Sequence, residues 1–208
     1  MTHPAAPVGG VLLAAGQSSR LGEPKQLLRD AAGEPLVRRM ARVLLEGGCS
    51  TVSVVTGAAA DDVVAACVAL GDRVQPVHNA HFAEGMGTSI ACGVAARPSD
   101  QAVIVATCDM PAVDAAHVQA LLAASADGRL RVASSYPVSD GSSELVRGVP
   151  ALFPPYDREM LLALTGDRGA RDLLRQSDTL SVFIRNGSLD LDTPADVARW
   201  HAIRVAPG

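Results

Sequence analysis

The 208-residue chain lacks an excess of basic charge, has few aromatic side chains and contains no long apolar run. Its 18 Lys and Arg residues are outnumbered by 22 Asp and Glu residues, which leaves no basic field for nonspecific nucleic-acid binding. Aromatic residues make up 3% of a chain that is 48% hydrophobic, so small aliphatic side chains must build the core. No segment reaches the roughly 18 apolar residues of a membrane span. We therefore expect neither nucleic acid nor a membrane as a partner.

The N-terminus and the cysteines give no sign of secretion. Residues 1–7 have no basic region leading into an apolar stretch, so we expect a flexible N-terminus and a cytoplasmic protein. Residues 8–205 contain no long polar linker, which predicts a single domain. The cysteines are too far apart for a CxxC pair and are interpreted mostly as small hydrophobes, not as disulfides or zinc ligands: Cys49, Cys67, Cys92 and Cys108.

Lysine is almost absent as well, because Lys25 is the only one beside seventeen arginines. It ends a glycine-rich loop, residues 14–25, which also carries Arg20 and follows an apolar run at 8–13. Such a run predicts a buried strand, and a loop beyond a strand end offers backbone N–H groups to an anion. The spacing matches neither Walker A nor GxGxxG. The loop is nevertheless predicted to bind phosphates.

Short β-branched runs alternate with amphipathic stretches along the chain. Strands are predicted at 8–13, 51–56, 73–77, 101–106 and 179–184, and helices at 35–46, 61–70, 114–125, 156–164, 168–176, from 194 onward and in a stretch ending at 97. Strand-like pieces within 130–153 flank a polar turn and predict a hairpin or another antiparallel addition. This order predicts an α/β domain in three layers, with a mostly parallel sheet between helices.

In such a sheet the ends of the first strand and of the 101–106 strand should be neighbours, so the loops beginning at Ala15 and Thr107 should face one site. Asp109 comes just after the latter strand, where a carboxylate is placed to hold Mg²⁺ against phosphates. Asp190 and Asp192 lie two apart on an extended segment, and either is a candidate second ligand.

The remaining polar motifs allow more than one interpretation. Thr193 and Asp196 are predicted to form a capping box that begins the last helix, which makes Asp196 structural. Gly85, Thr88 and Ser89 open a helix and are candidate contacts to a nucleobase or ribose. The loop 166–171 is either a charged surface turn or an anion-binding loop for a second substrate. The five histidines show no ligand spacing.

Taken together, these segments resemble the molybdenum cofactor nucleotidyltransferases of the MobA-like family, most of all its cytidylyltransferase branch. The sequence departs from the family pattern in three places: Leu21 replaces a methionine, Cys108 replaces a glycine, and the run 27–30 lacks a proline that relatives tend to have. Six motifs follow in family order, LAAGxSxRxGxxK, GMxxS, DMP, GxPxLF, GDxGAR and DxDTP, at residues 13–25, 85–89, 109–111, 148–153, 166–171 and 190–194.

The resemblance implies a Rossmann-like fold of the nucleotide-diphospho-sugar transferase type. It also implies transfer of a nucleoside monophosphate from a nucleoside triphosphate to a phosphorylated acceptor, with release of pyrophosphate. In the cytidylyltransferase branch, indicated here by Ala15, the donor is CTP and the acceptor is the molybdenum-bearing pterin, molybdopterin. A molybdenum hydroxylase apoenzyme is then a candidate partner.

The residues that match the family motifs receive roles by this resemblance. Arg20, Lys25 and Asp109 are the candidate catalytic residues, and Mg²⁺ is assigned to Asp109 with Asp190 or Asp192. Contacts to the nucleotide are assigned to Leu13, Ala14, Ala15, Gly16, Arg20, Lys25, Gly85, Thr88, Ser89 and Asp109.

Three alternatives keep the same fold. In the first, the protein is still a nucleotidyltransferase, but its acceptor is a sugar phosphate or another phosphorylated small molecule. In the second, the protein binds nucleotide and delivers cofactor without catalysis. The third alternative is a reductase, against which the missing GxGxxG motif and the scarcity of aromatic side chains to stack a flavin both count.

Overall fold

A computed structural model describes residues 7–139 and 142–205 and shows a seven-stranded sheet between two layers of helices. Residues 1–6 of the predicted flexible N-terminus lie outside the described residues. The strands are β1 (Gly9–Ala14), β2 (Val52–Thr56), β3 (Val74–His78), β4 (Val103–Thr107), β5 (Val132–Pro137), β6 (Leu145–Phe153) and β7 (Leu180–Phe183). The helices are α1 (Leu36–Glu46), α2 (Ala60–Cys67), α3 (Met86–Ala95), α4 (Ala115–Ala124), α5 (Arg158–Leu162), α6 (Arg171–Leu174) and α7 (Pro194–Val205).

The sheet has the order β3-β2-β1-β4-β6-β5-β7. Strands β1 to β4 pair in parallel, whereas β6 runs antiparallel to both of its neighbours, and β7 returns parallel to β5. This confirms the predicted mostly parallel α/β sheet and the antiparallel addition within 130–153. Residues 140 and 141 of the predicted polar turn lie outside the described residues.

Alternation along the buried strands divides the core between the two faces of the sheet. Leu12 packs into one hydrophobic cluster with side chains of α1 and α4, while Val11 and Leu13 pack into the other with α3. Strand β1 is buried over its whole length because both faces are covered. All four cysteines are free thiols, as the sequence predicts. In the described part of the chain, no helix has the length and apolar character needed to cross a membrane.

Three predicted helices prove shorter in the structure. The one predicted at 156–164 is α-helical only over Arg158–Leu162 and is preceded by a 3-10 turn at Pro155–Asp157. The helix predicted at 61–70 is α-helical only to Cys67 and continues as a 3-10 turn to Arg73. The one predicted at 168–176 begins only at Arg171, because Gly169 adopts φ 55°, outside the helical region. The residues before it form a separate 3-10 turn that faces the site.

Backbone pairing brings three distant segments to one edge of the sheet. Leu13 of β1 is in register with Thr107 of β4, so the loops that follow these strands are neighbours, as predicted. Beyond β7 the chain returns to this edge, where the Leu191 N–H donates to the carbonyl of Asp109 over 3.2 Å. The predicted capping box then begins α7: the Asp196 N–H donates to the Thr193 hydroxyl over 3.3 Å, and the Thr193 N–H donates to the Asp196 carboxylate over 2.9 Å.

Candidate active site

A cavity of about 450 Å³ opens at the carboxyl ends of β1 and β4. Its walls come from the loop after β1, the start of α3 and the turn after β4. Most residues assigned to the nucleotide by sequence line it: Leu13, Ala14, Ala15, Gly16, Arg20, Lys25, Gly85, Ser89 and Asp109, together with Asp192. The structure thus gathers at one place residues that are widely separated in the chain.

Lys25 lies at the centre of the charged groups. Its Nζ is 2.5 Å from Asp109 Oδ2 and 2.8 Å from Asp192 Oδ1. Arg20 extends the cluster, with Nη1 3.7 Å from Asp192 Oδ2. The Lys25 and Asp109 side chains are only 22% and 12% exposed, so their attraction is weakly screened by solvent. Two carboxylates and two cations therefore converge at the mouth of the glycine-rich loop.

Burial and neighbouring charge shift two pKa values here. Desolvation alone would lower the pKa of Lys25, but attraction and hydrogen bonds to Asp109 and Asp192 outweigh it and raise that pKa. Solvent reaches the Asp190 side chain, yet desolvation by the surrounding walls and repulsion from Asp109 and Asp192 raise its pKa to about 7. Near neutral pH, Lys25 is charged, whereas Asp190 exchanges between its protonated and ionised forms.

Two of the assigned residues do not line this cavity. The Thr88 hydroxyl bonds to the protein instead. It donates to the carbonyl of Gly85 over 2.9 Å and accepts from the Asn79 side chain over 3.0 Å. Asp190 faces a neighbouring cavity together with Asp192, and only Asp192 reaches Lys25. The two acids that the sequence could not distinguish therefore occupy different surroundings.

The glycines at the start of α3 allow two loops to pack closely against each other. Gly85 has φ 118°, and a Cβ atom there would collide with the backbone of Gly166. A Cβ atom at Gly87 would come within 2.8 Å of the Thr165 backbone. The segment 85–89 therefore packs directly against the loop 166–171, which joins two of the family motifs into one wall.

Two buried amides that the sequence did not single out hold the site loops. Asn79 is 4% exposed and donates to the hydroxyls of both Thr88 and Ser89 over 3.0 Å. Gln26 is 1% exposed and donates to the carbonyls of Ala14 and Gly16 over 3.2 and 3.1 Å. Only the position of Gln26 directly after Lys25 could have drawn attention to it.

Gln26→Leu is expected to destabilise the fold by at least about 1 kcal/mol, because it leaves two carbonyls of the glycine-rich loop without their donor. Thermal unfolding measures the loss as a lower Tm, by roughly 2–4 °C per kcal/mol for a chain of this size. Gln119→Leu is the matched control, since Gln119 is exposed and donates only a long bond of 3.4 Å to the carbonyl of Glu46. Equal Tm values for the two variants would contradict this role.

A second cavity, of about 740 Å³, adjoins the first. The two share six lining residues: Lys25, Met86, Thr107, Asp109, Asp167 and Asp192. The second cavity extends from them toward the β5–β6 hairpin and the loop before α6. Lys25 and Asp109 consequently stand at the junction of two compartments.

The donor atoms at this junction suit a hard divalent cation. The Asp109 and Asp192 oxygens approach one point, now taken by the Lys25 ammonium, and carboxylate oxygen is the donor that Mg²⁺ prefers. Within 7–139 and 142–205, no three His, Cys, Asp or Glu side chains form a ready-made metal group. Mg²⁺ is commonly held by only one or two carboxylates together with substrate phosphates, so the arrangement fits such a site.

Known proteins resemble this chain in sequence and fold. Nicotine blue oxidoreductase of Paenarthrobacter nicotinovorans is 36% identical over 197 residues, which cover 92% of this chain and 95% of that protein. The structure of Rv0371c from Mycobacterium tuberculosis H37Rv has a TM-score of 0.74 at 26% identity, covering 94% of this chain and 98% of that one. Its complex with manganese has a TM-score of 0.71 at 24% identity over the same shares.

A nucleotidyl transferase from a Methanothermobacter species has the same fold, with a TM-score of 0.74 at 24% identity over 96% of this chain and 99% of that one. Residues 10–180 match the family described as the MobA-like NTP transferase domain. The match begins in β1 and ends at β7, and so includes Lys25 and Asp109 with the loops that present them. The chain belongs to the MobA-like NTP transferase family.

Proposed function

We propose that the protein transfers CMP from CTP to a phosphorylated acceptor, the molybdenum-bearing pterin, and releases pyrophosphate. One observation carries this proposal: Lys25 and Asp109 sit where two adjoining cavities meet. The first cavity, bordered by the glycine-rich loop, suits the nucleoside triphosphate. The second suits the acceptor, whose phosphate then meets the α-phosphorus at the junction.

The reaction needs alignment and charge neutralisation more than covalent chemistry. An acceptor phosphate oxygen is already a nucleophile, so it attacks the α-phosphorus in line while the bond to pyrophosphate breaks. Lys25 and Arg20 provide positive charge toward the triphosphate, and the backbone of residues 13–16 borders the nucleoside side of the cavity. The buried position of Lys25 strengthens its interaction with the developing charge.

Asp109 and Asp192 are the residues that would hold Mg²⁺. Their oxygens converge on the same point, whereas Asp190 does not contact Lys25, which favours Asp192 as the second ligand. Bound Mg²⁺ would neutralise charge on the leaving pyrophosphate. That Rv0371c, a protein of the same fold, forms a complex with manganese supports the inclusion of a divalent cation in this proposal.

Preference for CTP and for the molybdenum-bearing pterin rests on Ala15 and on the order of the six motifs. Ala15 lies in the wall of the first cavity, where the guanylyl branch of the family tends to carry glycine. The nucleotidylated pterin would then pass to a molybdenum hydroxylase apoenzyme.

A reductase is the second candidate, because the relative that is 36% identical bears the name nicotine blue oxidoreductase. This activity would need an electron donor as well as an organic substrate that accepts the electrons. The absent GxGxxG motif and the 3% aromatic content favour the transferase.

A panel of CTP, GTP, ATP and UTP with Mg²⁺ or Mn²⁺ tests these candidates against molybdopterin and sugar phosphates. The proposal expects acceptor-dependent pyrophosphate release that is fastest with CTP and molybdopterin. Pyrophosphate release with a sugar phosphate but not with molybdopterin would show that the acceptor is a sugar phosphate. Binding of nucleotide without any pyrophosphate release would indicate a cofactor-delivery protein. If the protein catalysed oxidation of NADH or NADPH by an organic dye and released no pyrophosphate, the transferase proposal would be rejected in favour of a reductase.

A further inference from the structure

We propose that the free edge of strand β7 is a homodimer interface, at which a second copy of this chain adds its own β7 in antiparallel orientation across a two-fold axis. The two seven-stranded sheets then join into one continuous sheet. This inference does not depend on the proposed function, since no residue of 178–186 lines either cavity of the candidate active site. Both sites stay open in such a dimer.

The two outer strands of the sheet, β3 and β7, differ in how well they resist pairing with another strand. In β3, Pro76 stands in the middle of the strand and has no N–H to offer to a further strand. Strand β7 has the sequence Leu-Ser-Val-Phe, without proline or a charged side chain, and its Leu180 and Phe183 are 44% and 56% exposed. An unprotected edge with exposed apolar side chains favours pairing with another strand.

Backbone hydrogen bonds show which groups of β7 point outward. The N–H groups of Leu180 and Ile184 donate to carbonyls of the segment that contains β5. Successive residues of a strand direct their N–H and C=O groups to alternate sides, so those of Ser181 and Phe183 point away from β5. Among the described residues, no strand lies beyond β7 in the sheet. Two donors and two acceptors are therefore available at this edge.

One antiparallel two-fold register pairs all of these groups with one another. When the axis passes between the two copies of Val182, Ser181 of each strand faces Phe183 of the other, and the two pairs form four hydrogen bonds. An axis at Ser181 or at Phe183 would instead pair one of these residues with Thr179 or Arg185, which lie outside β7. The identical edges are thus complementary to each other, as a symmetric dimer requires.

The two ends of β7 carry opposite charges. Asp178 precedes the strand, and its side chain is 61% exposed although one oxygen contacts Arg131. Arg185 follows the strand, is exposed, and makes no ion pair within the part of the chain that the structure describes. In the register about Val182, Arg185 of one copy lies opposite Thr179 of the other, directly beside Asp178 of that copy. Opposite charges therefore meet at both ends of the paired strands, which favours the antiparallel orientation.

Helix α4, which packs against β7, lacks the charged surface of a typical solvent-facing helix. Over Ala115–Ala124 it contains no Asp, Glu, Lys or Arg. Its Val118 side faces the end of α1, because a Cβ atom at Gly47 would collide with Val118. At 3.6 residues per turn, Ala116 and Ala120 lie on the opposite side of the helix, toward the free edge. These small side chains allow the α4 helices of two copies to approach each other above the joined strands.

Sedimentation velocity of the full chain at micromolar concentration tests the interface, and we expect a particle of twice the 21.4 kDa chain mass. Ser181→Pro should weaken the dimer by roughly tenfold or more, because it removes an outward N–H from each copy and leaves the bonds to β5 in place. Ser181→Ala is the matched control, since it keeps the N–H and removes only the hydroxyl. This variant should sediment as the wild type does.

Ala120→Glu keeps the test decisive if the proline disturbs β7 itself. It places like charges on the two α4 helices where they approach each other, and should also weaken the dimer by roughly tenfold or more. Ala65→Glu is its control, because Ala65 is an exposed residue of α2, which packs at the opposite end of the sheet. A wild-type monomer, or a dimer that neither Ser181→Pro nor Ala120→Glu weakens, would overturn the inference.

Cysteine cross-linking tests the register. The two copies of Val182 would form a non-hydrogen-bonded pair with Cα atoms about 4.5 Å apart, which a disulfide can span. Val182→Cys should therefore give a covalent dimer on a non-reducing gel after mild oxidation, whereas Ser181→Cys should not, because each Ser181 faces Phe183. The wild type, whose four cysteines are free, controls for the native thiols. Cross-linking of Ser181→Cys but not of Val182→Cys would contradict the proposed pairing.

Discussion

Lys25→Ala is expected to lower turnover by roughly 10²-fold or more, measured as pyrophosphate release at saturating nucleotide and acceptor. The side chain is half of the positive charge that lines the first cavity, which we propose binds the triphosphate, and unlike Arg20 it is largely buried. Its removal also leaves Asp109 and Asp192 without the cation that both contact. The main loss should therefore appear in kcat, where charge develops on the leaving group.

Lys25→Arg separates charge from shape. A guanidinium keeps the positive charge but is a broad planar fork, so it should restore only part of the activity. Arg129→Gln removes a distant exposed charge and should leave turnover unchanged. Pyrophosphate release by Lys25→Ala at the wild-type rate would defeat its catalytic role.

The approach of Lys25 to Asp109 could be predicted because it follows from topology. Both residues come after apolar strands, and parallel strands that are adjacent present their following loops to the same side. The separation of Asp190 from Asp192 could not be predicted in this way. It depends on how the returning segment is held in the folded chain, through contacts that include the hydrogen bond from the Leu191 N–H to the Asp109 carbonyl and the burial of Leu191.

The second cavity could not be predicted from the sequence, for a related reason. Its walls join the β5–β6 hairpin to the loop 166–171, and no periodic pattern states that these segments face one another. Gln26 and Asn79 were missed because a buried amide is recognised by its partners, which are distant carbonyls and hydroxyls. Sequence patterns identify strands and loop chemistry well, whereas polar contacts between loops become visible only in three dimensions.

Asp109→Asn is expected to lower turnover by about 10²–10³-fold, the range for removing one preorganised charge-stabilising group. The amide keeps the shape of the carboxylate but loses its charge, so both the contact to Lys25 and the affinity for a divalent cation weaken. Pyrophosphate release should therefore require a higher Mg²⁺ concentration for half-maximal rate. Binding of Mn²⁺, followed by electron paramagnetic resonance, should weaken in parallel, which a purely structural role would not produce.

Asn substitutions at Asp190 and Asp192 decide which of these acids is the second ligand of the divalent cation. Asp192→Asn should approach the effect of Asp109→Asn, because both carboxylates contact Lys25, whereas Asp190→Asn should affect the Mn²⁺ affinity least. Asp127→Asn is the control, since Asp127 is exposed and its φ of 62° is tolerated by asparagine. If Asp190→Asn alone weakened Mn²⁺ binding, the cation would lie toward the second cavity, and the charge cluster around Lys25 would be a structural feature instead of the metal site.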